Sequence, residues 1–213
     1  MKPYLSELIG TLLLIAIVAG SGIMGESLSA GNAAVALLCN SIATGAGLYV
    51  LITLLGPISG AHFNPAVSLM FWKLGYLDLK KLFGYWVCQF TGAVVGIWIA
   101  HLMFSLPIIQ ESSKVRAGWG IWVSEFISTI VLLSVIHIGD KEVKDRVPML
   151  VALSVTAGYW FTSSTFFANP AAVIARSLTN TFVGISASSI GGFLVVEILA
   201  AIAMTFFVKR CLK

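Results

Sequence analysis

Apolar residues fill six long stretches of this chain, and polar residues gather in the short segments between them. Each stretch is close to the ~20 residues that a helix needs to cross the ~30 Å hydrocarbon core of a bilayer. Glu7 interrupts the first stretch and five more follow it, so we expect a retained helix rather than a signal peptide. The six predicted spans lie at about residues 4–24, 33–56, 82–106, 118–139, 147–166 and 184–208.

Two shorter apolar segments each start within the same triplet, Asn-Pro-Ala. Asparagine is a favoured N-cap and proline suits the first helical turn, so each triplet predicts a helix start. About ten residues rise only ~15 Å, roughly half of the bilayer core. We therefore expect two half-helices, at about residues 65–74 and 170–180, that meet at their N-termini near the midplane. The triplets are Asn64, Pro65 and Ala66, and Asn169, Pro170 and Ala171.

Basic residues are concentrated on one side of the predicted bundle. Cytoplasmic loops carry the excess of lysine and arginine, so this side and both termini are predicted to be cytoplasmic. The first half-helix then enters from the cytoplasm and the second from outside. The same bias explains the pI of about 9.1, so no nucleic-acid partner is needed. Ten of the 13 basic residues lie on the cytoplasmic side, namely Lys2, Lys73, Lys80, Lys81, Lys141, Lys144, Arg146, Lys209, Arg210 and Lys213; the others are Lys114, Arg116 and Arg176.

The composition and an internal repeat complete the predicted architecture. Hydrophobic residues make up 58% of the chain and charged residues 10%, with a mean hydropathy of +0.97, which is typical of a multi-pass membrane protein. We predict an all-α membrane fold of six transmembrane helices and two re-entrant half-helices in an inverted 3+3 repeat. Residues 1–213 then form a single channel domain with halves at about 1–106 and 118–213. The repeated residues are Ser6, Glu7 and Thr11 with Ser124, Glu125 and Thr129, and Gln89 with Glu197.

The segments around the two triplets resemble the two pore loops of the aquaporin and aquaglyceroporin (major intrinsic protein) family. The first is residues 58–67, Ile-Ser-Gly-Ala-His-Phe-Asn-Pro-Ala-Val, and the second is residues 167–171, Phe-Ala-Asn-Pro-Ala. The resemblance covers nearly the whole chain. It implies a passive channel for water or small neutral solutes in the plasma or inner membrane, in contact with lipid and assembled as a homotetramer.

The two asparagines have a role that follows from their chemistry. The side-chain oxygen caps the half-helix, which leaves the amide group as a donor into the pore. Each half-helix also brings about half a positive charge, so the midplane opposes protons and cations. The alternative is that the asparagines only cap helices. The extended segments before them would line the pore with carbonyl acceptors, through Gly60, Ala61, His62, Phe63, Ser164 and Thr165.

A departure from the family pattern follows the second triplet, where an arginine is usual and this chain has Ala172. Arg176 lies four residues later, on the same helical face, and leans back toward the space that Ala172 leaves open. We hypothesise that Arg176 lines the outer pore. The alternative is that its guanidinium extends to the external interface as an ordinary boundary residue.

The resemblance places the remaining selectivity-filter positions at Thr44, Ala157 and Phe166. A register error of one residue would exchange Ala157 for Gly158, and Thr44 has the alternative of a hydrogen bond to its own helix. Small side chains beside an aromatic one favour an aquaglyceroporin-like channel for uncharged polyols over a strict water channel. Residues 167–182 also resemble a bacterial subgroup linked to metalloid traffic, which implies neutral trihydroxides such as arsenite as further solutes.

Several buried polar residues have structural and functional interpretations. Glu7 and Glu125 are expected to hold the backbone of the pore loops from behind, with a proton relay as the alternative. Glu197 is interpreted in the same way. His62 is expected to line the pore or gate it by pH, or to be purely structural.

The sequence contains no catalytic cluster, phosphate-binding loop or metal-ligand spacing, so we expect no enzyme activity, cofactor or metal. Two other classes of function remain open. An ion channel or coupled transporter would use Arg176 or the intramembrane glutamates, and a structural junction protein would share the fold without a continuous lumen.

Overall fold

The computed structural model describes residues 2–211, so Lys213, one of the basic residues counted above, lies outside the described residues. The described chain is helical throughout, with two short 3₁₀ turns at Lys144–Arg146 and Ala187–Ser189. The eight α-helices are α1 (Lys2–Leu28), α2 (Ala33–Ser59), α3 (Pro65–Lys73), α4 (Leu79–Met103), α5 (Trp119–Glu142), α6 (Val147–Phe161), α7 (Pro170–Ser177) and α8 (Ile190–Cys211).

Five helical segments of the described chain are long and apolar enough to cross a membrane. They contain α1, α2, α4, α5 and α8. The fifth predicted span is shorter than expected, because α6 has 15 residues and ends at Phe161 rather than at residue 166. Thr162 leaves the helical conformation and donates its hydroxyl to the carbonyl of Gly158. The chain then turns inward, and the second re-entrant segment occupies the remaining depth beside α6.

The two halves have matching arrangements, with α1 packed on α2 and α4, and α5 packed on α6 and α8. Each half-helix packs on a long helix of the other half, α3 on α8 and α7 on α4. Each half therefore supplies part of the packing that the other half's re-entrant segment needs.

The crossing of α1 and α4 is close because α4 carries glycine at the contact. A Cβ atom at Gly92 would collide with the carbonyl oxygen of Leu8, and one at Gly96 with that of Leu12. The backbones of the two helices therefore touch, which is the usual packing mode of small residues four apart in membrane helices.

Polarity is arranged inside out compared with a soluble protein. Large apolar side chains such as Leu54, Val87 and Phe206 are exposed on the outer surface, whereas carboxyl and hydroxyl groups are buried in the interior. Large apolar side chains exposed over so much of the surface are typical of a surface that faces lipid.

We predict that Gly92→Ala destabilises the protein by about 1–3 kcal/mol, because the added methyl group pushes α4 away from α1. Gly191→Ala on α8 is the matched control, since a Cβ there meets no atom within 4 Å. Thermal unfolding of the two purified variants in detergent measures the difference. Equal midpoints would show that the α1–α4 crossing is not tight.

Candidate functional site

A cavity of about 110 Å³ lies between the two halves and is lined by α1, α2, α5, α6 and both re-entrant segments. The long helices contribute a mostly apolar wall, which includes Leu14, Leu48, Leu132 and Val151. Polar groups come chiefly from the re-entrant segments, from the middle of α2 and from the C-terminal end of α6. The polar lining residues are Thr44, His62, Asn64, Tyr159, Asn169 and Arg176.

Asn64 and Asn169 lie at the cavity as the N-caps of α3 and α7. The side-chain oxygen of Asn64 accepts from the N–H of Ala66 at 2.8 Å, and that of Asn169 accepts from Ala171 at 3.0 Å. Proline at the first helical position completes both starts, as the triplets predict.

The amide groups of the two asparagines join the two re-entrant segments to each other. Nδ2 of Asn64 donates to the carbonyl of Ala168 at 2.6 Å, and Nδ2 of Asn169 donates to the carbonyl of Phe63 at 2.9 Å. One N–H of each amide group is therefore used between the two re-entrant segments. An amide nitrogen carries two hydrogens, so one remains for the cavity.

The backbone before each asparagine follows the same unusual path. Ala61 and Phe63 in the first segment have φ of 48° and 48°, and the equivalent Phe166 and Ala168 have 55° and 46°. Such left-handed conformations cost non-glycine residues roughly 1–2 kcal/mol each. The segments therefore need outside partners for their N–H groups.

Glu7 supplies these partners in the first half. Its fully buried carboxyl group accepts from the N–H of His62 at 3.0 Å and from the N–H of Phe63 at 2.7 Å. The hydroxyl of Ser59 and the side-chain amide of Gln89 donate to the same group at 2.6 and 2.8 Å. The structure places Glu7 behind the first re-entrant segment, where the sequence analysis expects it.

Two carboxyl groups have the corresponding place in the second half. Glu125 accepts from the N–H of Ala168, and Glu197 accepts from the N–H of Asn169 at 2.9 Å. Both side chains are completely buried. Glu197 replaces the amide of Gln89, so the two halves support their segments with different chemistry.

His62 lies at the cavity within the first segment, together with Gly60, Ala61 and Phe63. Its Nδ1 atom is 3.0 Å from the hydroxyl of Ser68, and its ring packs against Phe71 with centroids 4.6 Å apart. The hydroxyl of Ser68 also accepts from Gln89 at 2.9 Å. The ring orientation is thus tied to the hydrogen-bond network around Glu7.

Arg176 is buried and lines the cavity, so the alternative of a side chain extended to the external interface is wrong. Its Nε donates to the carbonyl of Val183 at 2.6 Å, and its guanidinium carbon lies 3.5 Å from the ring centroid of Phe167. A stacked guanidinium keeps free donors at its edge. The side chain reaches the cavity from one turn beyond Ala172, which also lines it.

Thr44 and Phe166 line the same region of the cavity. The hydroxyl of Thr44 lies 3.3 Å from the hydroxyl of Tyr159. Phe166 fits against Gly158, where a Cβ atom would collide with the aromatic ring. The glycine therefore permits the position of Phe166.

The expectation for Ala157 is wrong, because this residue is exposed on the outer surface and does not line the cavity. Val155 and Tyr159 line it instead. A helix turns by about 100° per residue, so a small error in register moves a position from the lumen to the lipid-facing side.

Ser164 and Thr165 also lie off the cavity lining, contrary to expectation. The N–H of Ser164 donates to the hydroxyl of Ser124 at 3.2 Å, which ties the segment to α5. The hydroxyl of Thr165 accepts from Nη1 of Arg116 at 3.2 Å. Ser164 is therefore held by α5 and Thr165 by the loop before α5.

Sequence reasoning missed three contributors to this region, Tyr159, Val183 and Arg116. Arg116 also donates to the carbonyl of Ser163 at 3.0 Å and lies 5.5 Å from the ring centroid of Phe167. Partial burial lowers the pKa of this guanidinium below its usual value. Nothing in the sequence around Arg116 indicates that its side chain binds the turn at Ser163 and Thr165.

The described residues contain no group of three or more His, Cys, Asp or Glu side chains that could hold a metal ion. Cys39, Cys88 and Cys211 are free thiols.

Comparison with known proteins agrees with this geometry. The sequence profile described as "Major intrinsic protein" matches residues 1–208. The chain belongs to the major intrinsic protein family. A family member, "Aquaglyceroporin AqpS" of Rhizobium meliloti, is 50% identical over 208 residues, which cover 98% of this chain and 89% of that protein. The "Probable glycerol uptake facilitator protein" of Thermotoga maritima is 33% identical over 73% of this chain and 72% of its own length.

A solved structure of the same family has the same fold. The aquaglyceroporin from Plasmodium falciparum superposes with a TM-score of 0.78 at 20% identity, covering 99% of this chain and 96% of that one. At this identity the likeness shows only that the two proteins share the arrangement of helices and half-helices.

We predict that Glu7→Leu destabilises this family member by about 3 kcal/mol or more. The substitution leaves the N–H groups of His62 and Phe63 buried without an acceptor, at about 1–3 kcal/mol each, and frees two side-chain donors. Glu26→Leu, at an exposed position near the end of α1, is the control. Unfolding in detergent measures both, and a Glu7 variant as stable as the control would exclude the supporting role.

Proposed function

We propose that this protein is a passive channel for water and small neutral polyols such as glycerol, and that the cavity between its halves is the pore. The family makes it a channel rather than an enzyme. The observation that carries the proposal is the pair of capping asparagines, each with an amide group at the cavity and the positive end of a half-helix behind it.

Exclusion of ions follows from this arrangement. Two half-helices bring their N-termini together, and each contributes roughly half a positive charge. Arg176 adds a full charge at the outer part of the cavity. A cation or hydrated proton meets repulsion at both places, whereas a neutral hydroxyl group accepts hydrogen bonds from the same donors.

The filter combines an apolar and a polar side, which suits a polyol. Phe166 and Ala172 face the carbon chain of the solute, and Arg176 offers donors to its hydroxyl groups. The Thr44 and Tyr159 hydroxyls extend the polar side. Tyr159 lines the cavity where the small side chain of Ala157 was expected, so the filter is narrower than the sequence implied. The names of the two relatives, an aquaglyceroporin and a glycerol uptake facilitator, support a polyol as solute.

Neutral metalloid hydroxides are a further class of solute within the same proposal. Arsenite and antimonite as trihydroxides resemble a polyol in size and in the hydrogen bonds that they form. Asn64, Asn169 and Arg176 offer the same donors to hydroxyl groups on carbon and to hydroxyl groups on a metalloid. We propose that such hydroxides share the polyol path.

The membrane setting is proposed on the distribution of charge and on family analogy. We infer that the protein is one multi-pass domain of two halves in the plasma or inner membrane, with both termini in the cytoplasm. The basic residues of the loops support this orientation. A homotetramer with one pore per subunit is the expected assembly.

Stopped-flow measurements on reconstituted vesicles test the proposed function. We expect water, glycerol and arsenite to cross several-fold faster than through protein-free vesicles, and no current above background under an applied potential. Water flux without glycerol flux would establish a strict water channel. Ionic current would establish an ion channel, and the absence of any flux would favour a structural protein.

We predict that Arg176→Ala changes glycerol permeability by about tenfold and weakens the exclusion of protons. The substitution removes a charged donor from the filter, and a hydrogen bond to a charged group contributes roughly 1.5–3 kcal/mol. Lys114→Ala is the matched control, because Lys114 is a cation on the same side whose amine donates to the carbonyl of Thr181 off the cavity lining. Unchanged glycerol permeability and proton exclusion in Arg176→Ala would end the filter assignment.

A further inference from the structure

Two carboxyl groups lie side by side behind the second re-entrant segment. Glu125 on α5 accepts from the N–H of Ala168, and Glu197 on α8 accepts from the N–H of Asn169, the next residue in the chain. Both carboxyl groups use Oε1 for this bond. The two side chains also lie within hydrogen-bonding reach of each other.

The remaining oxygen of each carboxyl group is unsatisfied. Oε2 of Glu125 and Oε2 of Glu197 are both buried without a hydrogen-bond donor among residues 2–211, and the hydroxyl of Ser164 and the N–H of Phe167 lie beside the Glu125 carboxyl group. Two carboxylates in this position would repel each other in a medium that does not screen charge. A single proton satisfies both oxygens, since one carboxylic acid then donates to the other carboxylate.

The first half shows the same position filled by a different donor. There Nε2 of Gln89 donates to Oε2 of Glu7 at 2.8 Å. Gln89 on α4 is the repeat counterpart of Glu197 on α8, as Glu7 on α1 is of Glu125 on α5. The inverted repeat therefore calls for a donor at Glu197, and a carboxyl group provides one only when it carries a proton.

No cation in the described residues takes the place of that proton. The charged groups that act on Glu125 from neighbouring segments are Arg116, in the loop before α5, and Arg176, on α7. Arg116 donates to Thr165 and Ser163, and Arg176 donates to Val183. Neither guanidinium forms an ion pair with the two carboxyl groups among the residues that the structure describes.

We propose that Glu125 and Glu197 hold one proton between them, and that Glu197 is a positioning residue for the pore asparagine Asn169. The shared proton keeps both Oε1 atoms on the backbone of residues 168 and 169. Asn169 is then fixed at its N–H, and its side chain caps α7 and donates to Phe63. The proton stays within the pair and is not passed to the lumen.

Infrared spectroscopy of the reconstituted full-length protein tests the proton directly. A protonated carboxyl group has a C=O stretching band that a carboxylate lacks. We expect the wild-type protein to show such a band at neutral pH, and we expect Glu197→Gln and Glu125→Gln each to remove it. Glu26→Gln, which changes an exposed carboxyl group, is the control that keeps the band. This readout does not depend on which solute crosses the pore.

Permeability of the same variants tests the positioning role. In Glu197→Gln the side-chain nitrogen can donate to Glu125 as that of Gln89 donates to Glu7, while the side-chain oxygen keeps the bond from the N–H of Asn169. We expect water permeability within about twofold of wild type for this variant. Glu197→Leu leaves the N–H of Asn169 without an acceptor and Glu125 alone, and we expect at least a tenfold loss.

Three outcomes would overturn the proposal. The first is a wild-type spectrum without a carboxylic-acid band. The second is a band that survives in both glutamine variants. The third is a Glu197→Gln protein that folds but loses permeability as fully as Glu197→Leu, which would show that negative charge is required there. The wild-type spectrum and Glu125→Gln keep the test decisive if Glu197→Leu fails to fold.

Discussion

Every other feature of this protein depends on satisfying backbone N–H groups at membrane depth, where no bulk water is available to do so. The re-entrant segments cannot use helical hydrogen bonds, because several residues before each asparagine adopt left-handed conformations. Carboxyl groups from the neighbouring long helices take over this role, and they are buried for that purpose. The intramembrane glutamates are therefore part of the frame, and the cavity is lined by a mostly apolar wall together with two asparagines and one arginine.

The two halves reach the same geometry with different side chains. In the first half the carboxyl group of Glu7 accepts four hydrogen bonds, one of them from Gln89. Gln89 also donates to Ser68, whose hydroxyl contacts His62. In the second half the task is divided between two carboxyl groups. The second half also contributes Arg176, stacked on Phe167, to the lining of the cavity. The two halves thus share a backbone path while the side chains behind it differ.

Much of the architecture was accessible from the sequence, because local rules determine it. Asn64 and Asn169 cap their helices as their residue types require, and apolar length gave the spans. The end of α6 was missed since Thr162 breaks the helix within an apolar run, and Ala157 was misplaced because one residue of register decides which way a helical side chain points. The bonds from Asn64 to Ala168 and from Asn169 to Phe63 join residues more than 100 positions apart, and single-sequence patterns carry no signal for such pairs.

Those two cross-bonds also constrain the order in which the protein can assemble. Asn64 needs a carbonyl that is 104 residues further along the chain, and Asn169 needs one that was synthesised 106 residues before it. During synthesis the first re-entrant segment therefore emerges without its partner and is complete only after the second has entered the bundle. Contacts of such long range are formed late in folding. The contact between the two re-entrant segments can therefore form only after most of the chain has been made, and neither half contains it alone.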